Sequence, residues 1–272
     1  MVAFLTPEVR ARPNLDVIVD AHTTKVLTDG KRATGVHAVV SGSADAANSV
    51  TFEATNDVVL CGGAFNSPQL RMLSGIGPKE QLNRHGIDVV HELPGVGQNL
   101  QDHADIAVNA KTSRIGMPLQ IGLTNLQSQI KHLFLAIFKK EGAFVGDNEF
   151  VGSFFKSKPG IPANDIQMHV APFYYKDHGA TLRYGGGLTA KSCYMRPESR
   201  GTVALNSVNP MEGPLIDPNI TIIESIQSKA LAEDNLATCG YGDKDVNNLT
   251  DSDIKEFLRE NIESIYHPVS TW

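Results

Sequence analysis

The pattern of apolar runs and turn signals predicts a mixed α/β chain, α+β in character, in which helices and antiparallel strands form separate units. Three observations support this class. Short runs rich in Val, Ile, Leu and Thr are bounded by Gly, Pro, Asn and Asp. Several consecutive runs in the second half have no helical stretch between them, and strands joined without crossovers pair antiparallel. The stretch Thr124 to Lys140 instead repeats Leu126, Ile130, Leu133, Phe134, Ile137 and Phe138 at three- and four-residue spacing, the period of a helix with one apolar face.

Taken in order, Leu15–Asp20, Lys25–Thr28 and Ala33–Ser41 read as strands. The turn Asp29-Gly30-Lys31 joins the last two as a hairpin. Residues 42–49 are small and polar, hence a loop. Asn56–Leu60 reads as a buried strand running into Cys61-Gly62-Gly63. A helix follows, with Ser67 as N-cap and Pro68 at the first helical position, where a missing N–H costs nothing. Pro78 opens a short helix that Gly86 closes, and Asp88–His91 reads as a strand. The Thr124–Lys140 helix is expected to rest its apolar face on a core or sheet, since its polar face is not strongly basic. Phe150–Lys156, Ile166–Ala171, Leu188–Met195 and Thr202–Ser207 read as strands, and Ile222–Ala237 as a helix. The last helix starts at Thr250, with Asp253 completing a capping box, and buries Ile254, Phe257, Leu258 and Ile262.

Composition narrows the function. The chain has 272 residues, 41% of them hydrophobic, enough for one large core or two modest ones. Its net charge of −6 offers no basic excess to nucleic acid or an anionic membrane. No stretch approaches the ~18–20 apolar residues of a membrane span, and the N-terminal charges follow the apolar run instead of preceding it. The chain as it stands is therefore expected to be cytoplasmic, with no membrane and no nucleic-acid partner. Cys61, Cys193 and Cys239 lie far apart, so no disulfide framework or zinc knuckle is indicated, and no histidine pair has metal-ligand spacing. Asp243-x-Asp245-x-Asn247 imitates a calcium loop, but Asn248 replaces the turn glycine and Ile254 the bidentate Glu. The sequons at Asn219 and Asn248 are no more than chance supplies. Four G-x-G pairs occur, none continued to G-x-G-x-x-G. His267 precedes Pro268, which holds it extended after the last helix, and an imidazole there suits a general base near neutral pH.

Read together, four segments resemble the glucose–methanol–choline (GMC) family of flavin-dependent oxidoreductases, choline-dehydrogenase- and aryl-alcohol-oxidase-like. GGAFNSPQLRMLSGIGP (Gly62–Pro78) is similar to the second family signature, and PGVGQNLQDH (Pro94–His103) to the segment downstream of it. RPESRGTVALNSVNPMEGPLIDPN (Arg196–Asn219) resembles the start of the family's C-terminal region, and IYHPVST (Ile265–Thr271) the segment with the catalytic histidine. The resemblance implies a partial FAD-binding domain of the GMC type plus an antiparallel-sheet substrate domain. Residues 1–105 would be the end of the N-terminal FAD-binding region, 106–191 the substrate-domain helix and strands, and 192–272 the start of the C-terminal region.

It further implies that His267 removes the hydroxyl proton of a small-molecule alcohol while hydride passes to FAD, which supplies the electron sink. Thr23 would give a backbone contact to adenine, and Gly62 and Gly63 would form the turn lying against FAD. In this sequence Ser270 stands for the usual Gly and Trp272 for the usual Cys. The family's G-x-G-x-x-G unit would precede Met1, and a His or Asn partner of the catalytic histidine would follow Trp272, so truncation at both ends is expected. For the isolated chain, a catalytically inactive remnant or interaction fragment is the competing reading. A GMC-fold lyase is a third.

Overall fold

The computed structural model describes residues 3–40, 49–112, 126–142, 144–145, 151–171, 175–176, 181–182, 186–220 and 250–271. In chain order the first elements are α1 (Pro7–Arg10), β1 (Ala21–Asp29), β2 (Arg32–Val40), β3 (Ser49–Glu53), α2 (Gly63–Leu73), β4 (Ile76–Gly77), α3 (Lys79–Arg84) and β5 (His91–Glu92). Then follow β6 (Ala104–Thr112), α4 (Leu126–Lys139), β7 (Val151–Phe155), β8 (Ile166–Ala171), β9 (Tyr175–Lys176), β10 (Thr181–Leu182) and β11 (Gly186–Tyr194). The last are β12 (Thr202–Ala204), β13 (Leu215–Asp217), α5 (Asp251–Asn261) and β14 (Ile262–Ser264). The mixed class holds, and its larger sheets are antiparallel.

Two compact units share the chain: residues 1–100, 201–218 and 269–272 in one, residues 101–200 and 219–268 in the other. In the first, β1-β2-β3 form an antiparallel sheet whose hairpin turns at Gly30-Lys31, as the sequence predicts. The core is Met72, Leu82, Val96 and Leu205, with Leu73, Ile87 and Val89 packed against it. Pro78 is the N-cap of α3, and Gly86 closes it in the left-handed region: the N–H groups of Gly86 and Ile87 donate to Asn83 O and Leu82 O at 3.1 and 3.0 Å.

Five expectations fail in this unit. Leu15–Asp20 and Asn56–Leu60 have strand composition but pair with no strand among the described residues. Val19 is 62% and Val59 79% exposed, and Asp20 at φ 54° ends the first run. Composition selects extended backbone; only a partner makes a ladder. Asp88–His91 shrinks to the two residues of β5, parallel to β4, and Thr202–Ser207 to β12.

The start of α2 is the fifth correction. Gly62 is the N-cap without a side-chain bond, Ser67 is buried, and Pro68 lies inside the helix. Proline has no N–H for the carbonyl four residues back, Ala64 O. The hydroxyl of Thr271, fully buried, donates to that oxygen at 2.5 Å instead. Gly97 N–H donates to Thr271 O at 3.1 Å and Val203 N–H to Gly97 O at 2.7 Å, so three distant segments meet there.

The second unit is built on a five-stranded antiparallel sheet of order β14-β6-β11-β8-β7. Alternation along its strands puts Ala104, Ile106 and Ile166, all buried, on one face. The other face is polar and also buried: Lys191 pairs with Asp105 at 3.8 Å, and Thr189 donates to Asn109 Oδ1 at 2.6 Å. The capping box of α5 forms as predicted, with Asp253 N–H on Thr250 Oγ1 and Thr250 N–H on Asp253 Oδ2. Leu258 is buried and Ile262 half-buried; the side chains of Ile254 and Phe257 lie outside the described residues, as do Phe150, the Ile222–Ala237 segment and the calcium-like loop.

Helix α4 forms where expected, but none of its residues is buried and its apolar face is turned outward. Among the described residues no helix is long and apolar enough to cross a membrane.

Replacing Thr271 by Val should leave Ala64 O without its donor and cost on the order of 1 kcal/mol in urea denaturation. In a Pro68→Ala background, where the helix regains the N–H that the carbonyl lacks, the same replacement should cost clearly less.

Candidate functional site

In the second unit, Asp102 is buried immediately before β6, and its carboxylate gathers donors from both ends of the segment. Oδ1 accepts the backbone N–H of His103 at 2.8 Å and that of His267 at 3.0 Å; Oδ2 accepts the hydroxyl of Ser264. Ser264 Oγ in turn accepts Tyr266 N–H at 2.9 Å, and Ile265 N–H donates to His103 O at 3.2 Å. These bonds hold Tyr266 in the left-handed region, φ 62°, a conformation that costs a side-chain-bearing residue and persists only where its surroundings fix it. Pro268 adds its own constraint by steering the backbone of the preceding histidine away from helical geometry.

The result is an imidazole pair. His267 Nδ1 and His103 Nδ1 are 3.2 Å apart, with ring centroids at 5.1 Å and planes at 85°. One proton lies between the two nitrogens, so one ring donates and the other accepts. Burial, and then the neighbouring His267, hold the His103 pKa below the usual histidine value, against the opposing pull of the Asp102 carboxylate. The lowered pKa favours the neutral form of His103, which is half-buried, while His267 is exposed. In the tautomer in which His267 Nδ1–H donates to His103, Nε2 of His267 carries the lone pair.

In the first unit, a cavity of about 490 Å³ opens between the β-sheet, the extended segment at residues 57–61 and α2. Thr23 and Gly62 line it together with Asn66, Ser67 and Cys61. Thr23 lies on edge strand β1 beside an irregularity in register, where Thr24 Oγ1 donates to His37 O at 3.2 Å. Gly63 does not line the cavity but opens α2 at φ 74°, a conformation that glycine adopts without penalty. Ser67 Oγ is buried in the wall with no hydrogen-bond partner among the described residues. A cavity with an uncapped helix N-terminus and an unsatisfied hydroxyl fits a polar, phosphate-bearing ligand.

In the first unit Thr23 and Gly62 are thus brought to one cavity, with Gly63 next to it; in the second, His267 is held in a hydrogen-bonded centre. Sequence reasoning places a partner of His267 beyond Trp272; within the chain, His103 stands against it. Asp102, His103 and Ser264 surround the His267 segment, and sequence reasoning misses all three. The available signal is the Asp-His dipeptide closing the Pro94–His103 segment, two residues whose chemistry suits a proton site. Among the described residues no three His, Cys, Asp or Glu side chains gather as a metal site requires. Burial pushes the Cys193 thiol up to about 11, which keeps it protonated and a poor nucleophile.

Residues 1–105 match the family model described as GMC oxidoreductase. The chain is 37% identical over 276 residues to an alcohol dehydrogenase [acceptor] of Pseudomonas putida, covering 96% of this chain and 49% of that protein. It is 34% identical over 288 residues to human mitochondrial choline dehydrogenase, covering 99% and 46%. The fold is similar to about half of an Aspergillus oryzae formate oxidase variant, with a TM-score of 0.79 at 22% identity over 97% of this chain and 52% of the other. A fungal aryl-alcohol oxidase gives 0.71 at 17% identity, over 97% and 53%. The chain belongs to the GMC oxidoreductase family, whose cofactor is FAD. It spans about half the length of the curated relatives it matches.

Asp102→Ala should strip three donors of their acceptor and destabilise the second unit by about 2–3 kcal/mol, read by chemical denaturation. Asp102→Asn, which keeps a carbonyl oxygen and offers Ser264 a donor, should cost much less. Because the His103 pKa is lowered on folding, its contribution to stability is complete above the unfolded value of ~6.5 and is lost as pH falls through the folded value. Thermal melts between pH 7.5 and 5 (about the range of histidine titration) should therefore show a smaller acid loss in His103→Gln than in the parent chain.

Proposed function

We propose that this chain serves the FAD-dependent oxidation of a small-molecule alcohol to its aldehyde, with His267 as the base. The observation that supports it best is the imidazole pair: with His267 as the donor in its 3.2 Å contact with His103, Nε2 of His267 is left to receive a proton. The family and the names of the curated relatives, alcohol dehydrogenase and choline dehydrogenase, set the reaction class. Residues 1–105 would then be part of the FAD-binding region, 106–191 part of the substrate domain, and 192–272 the start of the C-terminal region.

Thr23 through its backbone, the Gly62–Gly63 turn, the first N–H groups of α2 and the Ser67 hydroxyl would hold FAD. When bound, FAD supplies the acceptor for the hydride that leaves the alcohol carbon. The alcohol O–H is aligned on Nε2 of His267, which takes the hydroxyl proton. The imidazolium so formed keeps its Nδ1–H on neutral His103, which spreads the new charge without needing a second proton. Asp102 touches neither reactant. It is a positioning residue, acting through the two backbone N–H groups and the Ser264 hydroxyl.

The test begins with an absorption spectrum of the purified chain after incubation with FAD and gel filtration. Retained flavin bands are expected. Their complete loss would favour the inactive-remnant reading over this one. Where flavin is retained, His267→Ala should keep the bands and slow alcohol-dependent flavin reduction by ~10²–10⁴-fold. An unchanged rate would remove His267 from the mechanism.

A further inference from the structure

His103 and His267 stand at the separation of two ligands on one metal ion. On a tetrahedral zinc with Zn–N bonds of about 2.0–2.1 Å, two imidazole nitrogens lie about 3.3 Å apart, and the ring centres, about 1.15 Å further out, lie about 5.2 Å apart. The observed separations are 3.2 Å between the two Nδ1 atoms and 5.1 Å between the centroids. The right angle of a square-planar copper or nickel site would bring the nitrogens to about 2.9 Å. The 85° between the ring planes is no obstacle, since each ring can turn about its own metal–nitrogen bond without changing either distance.

The backbone ties the two rings together before any ion arrives. Asp102 Oδ1 accepts the N–H of His103 at 2.8 Å and that of His267 at 3.0 Å, so one buried oxygen fixes both chelating residues and little ordering remains to be done on binding. His267 is exposed, which gives an ion in solvent a way in. Resident zinc has three or four protein ligands, and no such group forms among the described residues. Two imidazoles define instead an exchangeable site, with water in the remaining positions. Oxygen-seeking Mg²⁺ and Ca²⁺ find no open carboxylate in Asp102, whose two oxygens already take donors from residues 103, 264 and 267. The proton balance closes without any gain or loss. Each neutral imidazole gives its Nδ1 lone pair, the ring that carried Nδ1–H carries that proton on Nε2, and two waters leave the hydrated ion.

We infer that His103 and His267 form a reversible zinc site, and that zinc there leaves Nε2 of His267 protonated and unable to take a proton from an alcohol. The site itself stands apart from the alcohol reading; only the loss of the base rests on it. The test is a zinc titration of the full chain, its histidines labelled with the heavy nitrogen isotope, at a pH about one unit above the ordinary histidine pKa. The Nδ1 signals of both residues should shift together and saturate at one zinc per chain, and Nε2 of His267 should move to the position of a protonated nitrogen. Mg²⁺ at the same concentration should leave all of them in place. By calorimetry, His103→Gln and His267→Gln should each lower zinc affinity at least about tenfold, and the double substitution no further, because a chelate is lost with either arm. Circular dichroism checks that the variants fold; where one does not, the shifts in the parent chain decide. Movement of one ring only, no saturable shift, or unchanged affinity in folded variants would overturn the site. Zinc held by both rings with Nε2 of His267 still unprotonated would overturn the loss of the base. None of these signals needs flavin, so a chain that fails to retain FAD would count against the oxidation reading and leave the zinc result to stand by itself.

Discussion

In the second unit the placing of His267 against His103 depends on one buried carboxylate, that of Asp102. Asp102 lies where β6 begins, and its two oxygens take donors from residues 103, 264 and 267. Sheet register brings those residues near: Ser264 pairs with Ala104, Glu263 with Asp105 and Ile262 with Ile106. A slip of one residue in that pairing would send Ser264 to the other face and separate the carboxylate from its hydroxyl partner. The meeting of His103 with His267, 164 residues apart in sequence, is thus set by a strand ladder and one charged acceptor together. The local preference of a histidine–proline turn is only part of it.

The first unit solves a different problem, closing around glycines and a proline where side chains or N–H groups are missing. Gly97, at φ 77°, leaves no room for a Cβ, which would lie 2.1 Å from Val203 O. The same closeness permits the Val203 N–H bond to Gly97 O. Pro68 leaves Ala64 O unpaired within α2, and Thr271 fills the gap. A buried backbone oxygen left without a donor destabilises the fold, so a helix with an interior proline is tolerated here because a residue from a remote segment supplies the proton.

Much of this is legible in the residues. The hairpin at Gly30, the cap at Gly86, the capping box at Thr250 and the antiparallel strands follow from local chemistry, and local chemistry is written in adjacent letters. Leu15–Asp20 and Asn56–Leu60 mislead because Val and Ile composition cannot say whether a partner strand exists. Strand β6 escapes notice although it is the sheet's second strand: Asp105 and Asn109 on one face disguise it as polar loop. For the same reason Asp102 does not stand out. Its importance comes from donors over 160 residues away. The apolar periodicity of α4 is plain, but periodicity gives the width of a face and not which way it turns.

The meeting of residues 97, 203 and 271 in one unit also bears on how the polypeptide matures. During synthesis residue 97 leaves the ribosome long before residue 271, with the whole of residues 101–200 between it and Val203. The first unit therefore cannot lock until the intervening stretch has been made, and α2 must wait with its proline-broken turn open. Loop closure over such distances is slow. Until residue 271 has been made, Ala64 O and Gly97 N–H lack their partners on Thr271.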